Sequence, residues 1–86
     1  MKLRYTQHFL EDYHNLPQPI QKRTDKQLKL LLENFHHPSL RTKIVKGTKE
    51  KIWEARVTRG CRFTFQTERE VYILRKIGTH DILKSP

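Results

Sequence analysis

Apolar residues recur at helical spacing over the first 35 positions and alternate after position 41. Phe9, Leu10, Tyr13 and Leu16 form one stripe, with Thr6 placed as N-cap before it and Pro17 stopping it. Pro19 suits the first turn of a second helix, whose face is Ile20, Thr24, Leu28, Leu31 and Phe35, helped by Leu32. His36-His37-Pro38 ends that helix. The two helices, separated by Leu16-Pro17, form a helical hairpin. Lys2–Tyr5 reads as a short strand ahead of them.

The second half follows a strand period. Arg41 to Lys46 alternates, 47–51 is a polar turn, and Ile52 to Val57 is the next strand. Thr58-Arg59-Gly60 reads as a three-residue hairpin loop, with Gly60 available for a left-handed position. In Cys61 to Gln66, Cys61, Phe63 and Phe65 share one face, and Arg62, Thr64 and Gln66 the other. Thr67 to Glu70 turns the chain into a mostly apolar, central strand from Val71 to Ile77. Gly78 closes it, and a short tail follows. The outline β-α-α-β-β-β predicts an α+β fold. A helical hairpin packs on one face of a twisted, mainly antiparallel four- to five-stranded sheet. If Trp53, Ala55 and Val57 face the helices, Glu54 and Arg56 face away. The same parity sends Arg62 to the open face, beside Arg56.

Composition narrows the function classes. Eighty-six residues predict one domain, 1–86, with a modest core. A single Cys excludes an intrachain disulfide or a multi-cysteine zinc site. No apolar run could span a bilayer, and the polar start does not have the form of a signal peptide. A cytoplasmic protein is expected, without membrane partner, metal or cofactor. The net charge of +9 points to a polyanion. Residues 41–62 carry eight basic side chains against two acidic, net +6. Arg41, Lys43, Lys46, Lys49, Lys51 and Arg59 are candidate RNA contacts. A charged strand surface that resists aggregation is the plainer reading.

Cleavage of RNA by its own 2′-hydroxyl needs a base, an acid and cations around the phosphorane. His80 is the candidate proton-transfer group, because an imidazole side chain can serve as acid or base, or else it is a surface or capping histidine. Arg56 and Arg62 are candidate phosphate clamps. Glu54 is a possible base, or an ion-pair partner of Arg56 or a neighbouring strand. His36 and His37 would point apart in an extended segment, without further ligands at metal spacing. Cys61 reads as a core thiol, and Trp53 as core in preference to a base-stacking platform.

The ordered segments Phe9 with Leu16-Pro17, His37-Pro38-Ser39-Leu40, Ile52-Trp53-Glu54-Ala55-Arg56-Val57, Cys61-Arg62-Phe63-Thr64-Phe65 and Ile77-Gly78-Thr79-His80-Asp81 carry a likeness over nearly the whole chain. The chain resembles the RelE/ParE superfamily of bacterial and archaeal type II toxin–antitoxin toxins. Its Gly-Thr-His is similar to the YafQ branch, and its Trp-x-x-Arg with a following Arg to the YoeB branch. The resemblance implies a metal-free mRNA endoribonuclease, or mRNA interferase, that acts in the ribosomal A site and inhibits translation. Arg56, Arg62 and His80 would be catalytic. It departs from the family pattern at Trp53 and Ala55, where RelE places lysines. His37 stands where YoeB has a Glu and is a further candidate base. Asp81 follows His80 where a Tyr is usual, and is a further possible catalytic residue. The implied partners are the ribosome, mRNA and a small cognate antitoxin with an acidic segment. The free chain is expected to be a monomer, and the antitoxin complex a heterotetramer or larger. The alternatives are a ParE-like DNA gyrase inhibitor and a non-catalytic RNA- or ribosome-binding module.

Overall fold

The structure is a computed structural model describing residues 1–86. The elements are β1 (Lys2–Tyr5), α1 (Gln7–His14), α2 (Gln18–Glu33), β2 (Lys43–Ile44), β3 (Trp53–Thr58), β4 (Cys61–Glu68) and β5 (Val71–Gly78). Two 3-10 segments add to these, at Pro38–Leu40 and His80–Lys84. Thr6 caps α1: its Oγ1 accepts from the Phe9 N–H at 3.2 Å and donates to the Leu74 carbonyl at 2.8 Å. One side chain therefore starts the helix and ties it to β5. Pro19 sits in the first turn of α2, where its missing N–H costs nothing.

The sheet has five strands in the order β1-β5-β4-β3-β2. β1 runs parallel to β5, with Lys2 opposite Val71 and Tyr5 opposite Leu74. The other three pairings are antiparallel. β5 is thus an interior strand, in keeping with its apolar sequence, and β4 lies at the middle. No helix is long and apolar enough to cross a membrane.

Both helices cover one sheet face, α1 over β5 and α2 over β3. Phe9, Leu28 and Leu31 meet Ala55, Val57, Cys61, Phe63, Phe65, Tyr72, Leu74 and Ile77 in one core. Phe35 joins it through aromatic contacts with Trp53, Phe65 and Tyr72, the Trp53 contact edge-on at 4.9 Å between centroids. Trp53 is therefore part of the helix-facing layer, as its alternation suggests.

Four local expectations are corrected. Leu32 lies outside the apolar face of α2, and Gln27 is fully buried there. The strand expected from Arg41 shrinks to Lys43–Ile44, because Arg41 adopts left-handed φ 47 at the end of the 3-10 turn. Gly60 does not take the left-handed position: Thr58 pairs with Cys61 around a two-residue turn, and a bulge between Arg56 and Thr58 absorbs the extra residue. The tail after Gly78 is a 3-10 turn that Thr79 caps through the Asp81 N–H.

Candidate nucleic-acid interface

β3 places Glu54 and Arg56 on the face turned away from the helices, and β4 does the same for Arg62. The register sets Arg56 directly opposite Arg62, and Glu54 opposite both Lys43 of β2 and Thr64 of β4. Strand parity alone thus gathers three cations around one carboxylate. Arg41, Lys43, Glu54, Arg56 and Arg62 line a cleft of about 370 Å³ with no hydrophobic side chain in its wall. Glu54 is buried and accepts from Arg62 Nη1 at 3.1 Å. Arg62 Nε is also buried and has no protein partner. Arg56 makes no ion pair within the chain. Four cations and one carboxylate, already engaged, give the cleft a net positive charge and the chemistry suited to an anion.

The cleft is held from behind. Gln27 of α2 reaches through the core and donates Nε2 to the Arg56 carbonyl at 2.8 Å, and more weakly to the Ser39 carbonyl at 3.4 Å. It therefore links the strand that carries Arg56 to the turn that carries Arg41. The sequence gives one faint signal for it, a Gln one position ahead of Leu28 on an otherwise apolar helix face.

The remaining basic candidates separate by position. Arg59, at the β3–β4 turn, lines an adjoining hollow that also contains Arg41 and Arg56. Lys46, Lys49 and Lys51 lie on the segment between β2 and β3, outside the cleft lining. Lys51 holds its ammonium 5.5 Å from the Trp53 ring centroid. His80 is exposed, two residues beyond Gly78, which pairs with Arg62. It sits at the same end of the sheet as the arginines but does not line the cleft. Asp81 is exposed beside it, 3.9 Å from Lys84. His37 is occupied: its Nδ1 accepts from the Ser39 N–H at 3.2 Å and lies 3.0 Å from the Ser39 hydroxyl, which caps the 3-10 turn.

Residues 85 and 86 lie over the middle of the open face. Thr64 Oγ1 and Arg75 Nε both donate to the Pro86 carbonyl at 3.1 Å, and Lys76 Nζ donates to the Ser85 carbonyl. Thr64 is buried as a result, although it points away from the helices. Cys61, on the helix side, is a core thiol; burial raises its pKa, and the neighbouring Arg62 charge opposes this in part.

No protein-family model and no curated protein sequence matches the chain. Solved structures do. YafQ from Escherichia coli BL21(DE3) superposes with TM-score 0.78 at 13% identity, over 94% of each chain. The YoeB dimer from Staphylococcus aureus gives 0.78 at 13%, over 93% of this chain and 97% of the other. The archaeal RelE–RelB complex from Pyrococcus horikoshii gives 0.74 at 15%, over 91% and 92%. At such identities the likeness is one of backbone architecture. The chain has the fold of the RelE, YoeB and YafQ toxins over nearly its whole length.

Proposed function

We propose that this chain is the toxin of a type II toxin–antitoxin pair and cleaves mRNA engaged on the ribosome. The observation that carries the reading is the Arg56–Arg62 cross-strand pair in a hydrophilic cleft of about 370 Å³. Two guanidiniums on facing strands match the non-bridging oxygens of one phosphodiester and the charge that grows on its phosphorane. The 2′-hydroxyl gives its proton to a base and forms the P–O2′ bond. The P–O5′ bond breaks, and the 5′ oxygen takes a proton. The products are a 2′,3′-cyclic phosphate and a 5′-hydroxyl. His80 is the proposed proton-transfer group, working from the end of β5. Glu54 is the one carboxylate within the cleft and the other candidate acceptor. The proposed antitoxin lays an acidic segment across the arginines and a helix in the apolar groove formed by Tyr5, Phe9, Leu10 and Tyr13.

The exposed position of His80 outside the cleft favours one second reading, a module that binds RNA without cutting it. Mapping mRNA 5′ ends in a translating extract separates the two. Wild type cuts, and Arg62→Ala and His80→Ala each lose about 100-fold or more in rate. Equal cutting by all three would remove these residues from the site. Binding with no cutting by wild type would select the second reading, and inhibition of DNA supercoiling instead would select a gyrase target.

A further inference from the structure

The cleft has a neighbour that the catalytic reading leaves unused. Arg23, Arg41, Arg56 and Arg59, with Ser39 and Thr58, line a second hollow of about 360 Å³. It shares Arg41 and Arg56 with the first, so the two form one continuous basic track. No carboxylate lines the second hollow. Arg23 comes from α2, outside the basic stretch of the sequence. Its Nε donates to the Val57 carbonyl at 3.1 Å, at the bulge in β3. That bond anchors the stem of the side chain and leaves the terminal nitrogens without protein partners. The bulge turns the strand end, so Arg59 reaches the same hollow as Arg56. Arg41 is held between the hollows in a left-handed conformation, φ 47 and ψ 47, that a non-glycine residue rarely adopts. Four guanidiniums converge here without compensation, and their planar forks suit phosphate oxygens.

We infer that the second hollow is a phosphate subsite, formed by Arg23 and Arg59 with the shared Arg41 and Arg56. It takes a second backbone phosphate of a single-stranded RNA whose reacting phosphate lies between Arg56 and Arg62. The inference rests on the nucleic-acid reading of the first cleft. Its signature is dependence on ligand length. A dinucleotide with one internal phosphate fills only the first cleft, whereas a longer strand reaches both.

The test measures binding of fluorescent 2′-O-methyl RNA, a dinucleotide and a hexamer, across a salt series. The proteins are wild type, Arg23→Gln, Arg59→Gln and Arg62→Ala. Gln at position 23 keeps a donor for the Val57 carbonyl, and Arg59 makes no hydrogen bond within the chain, so neither variant endangers the fold. Arg23→Gln and Arg59→Gln are expected to weaken the hexamer about tenfold and the dinucleotide less than twofold. Each is expected to reduce the salt slope for the hexamer by about 0.7, the value for one lost contact to a single strand. Arg62→Ala weakens both ligands. If Arg23→Gln and Arg59→Gln leave the hexamer unchanged, or weaken both ligands equally, the subsite is refuted and the first cleft stands. If Arg62→Ala leaves both ligands unchanged, the reading of the first cleft falls instead.

Discussion

Arg56 and Arg62 face each other across the β3–β4 hairpin, but only Arg62 has a carboxylate to lean on, Glu54 at 3.1 Å. The pair is therefore asymmetric. Glu54 fixes one guanidinium and offsets its charge, while the other is uncompensated and free to meet a ligand. Two bare arginines side by side would repel, and the single acid lets the sheet hold both.

This asymmetry sets the outcome of changing Glu54. Glu54→Gln keeps the shape, removes the negative charge and leaves the cleft more positive. RNA affinity, read by fluorescence anisotropy at low salt, is expected to rise several-fold. Stability, read by urea unfolding, falls by about 1–2 kcal/mol because the acceptor facing Arg62 Nη1 loses its negative charge and the ion pair becomes a weaker hydrogen bond. A drop in affinity would show that Glu54 orients Arg62 more than it neutralises it.

Gln27→Leu is expected to lower stability by about 2–3 kcal/mol. The new side chain fits the apolar layer but strips the Arg56 carbonyl of its 2.8 Å donor inside the fold. RNA binding of the folded fraction should weaken as well, because β3 and the Arg41 turn lose their link. A stability equal to wild type in thermal melts would mean that these carbonyls find other donors.

Phe63 is fully buried at the centre of the middle strand. Phe63→Ala removes about 3–5 kcal/mol, much of the stability a small domain possesses. Circular dichroism should show a chain largely unfolded near 37 °C. A native-like spectrum and melting point there would contradict the assigned core.

Alkaline pH should destabilise the fold through three groups. Burial raises the Cys61 and Tyr72 pKa values, and in Tyr13 the main cause is its hydrogen bond to Asp25. An acid with a raised folded value holds its proton longer folded than unfolded. Its stabilising contribution is complete below the unfolded value and is lost as pH climbs through the folded one. Urea midpoints should stay level to about pH 8 and decline above it, first for the thiol near 8.5 and then for the phenols near 10. Cys61→Ala should remove the first part of that decline. The same burial makes Cys61 slow to react with thiol reagents at pH 8 in the native protein and fast in urea.

The fold was largely legible because its elements announce themselves locally. Thr6 and Pro19 mark the helix starts, and the alternation of Trp53, Ala55 and Val57 fixes which side of β3 meets the helices. The arginine pair followed from the same parity, and so did the position of Glu54. What escaped depends on atoms far apart in sequence. Gln27 and Arg23 join the site through backbone carbonyls of β3, 29 and 34 positions away, and no periodicity encodes such a bond. The cover over Thr64 comes from a tail whose polar sequence gives no hint of where it lies. Gly60 misled because glycine permits a left-handed turn without requiring one, and the bulge at Val57 gave the hairpin another solution.

The parallel pairing of β1 with β5 carries a consequence for the order of events during synthesis. Lys2 meets Val71, and α1 packs on a strand made more than 50 residues after it. The first fifth of the chain therefore leaves the ribosome with no surface to dock on. Closing that long loop is a late and entropically costly step. Arg62 enters the sheet only when β4 pairs, and its neighbour Gly78 is the last residue of β5. The cleft draws its lining from positions 41 to 62, so it closes only once β4 has paired with β3, and before that pairing the same charges are present without the geometry.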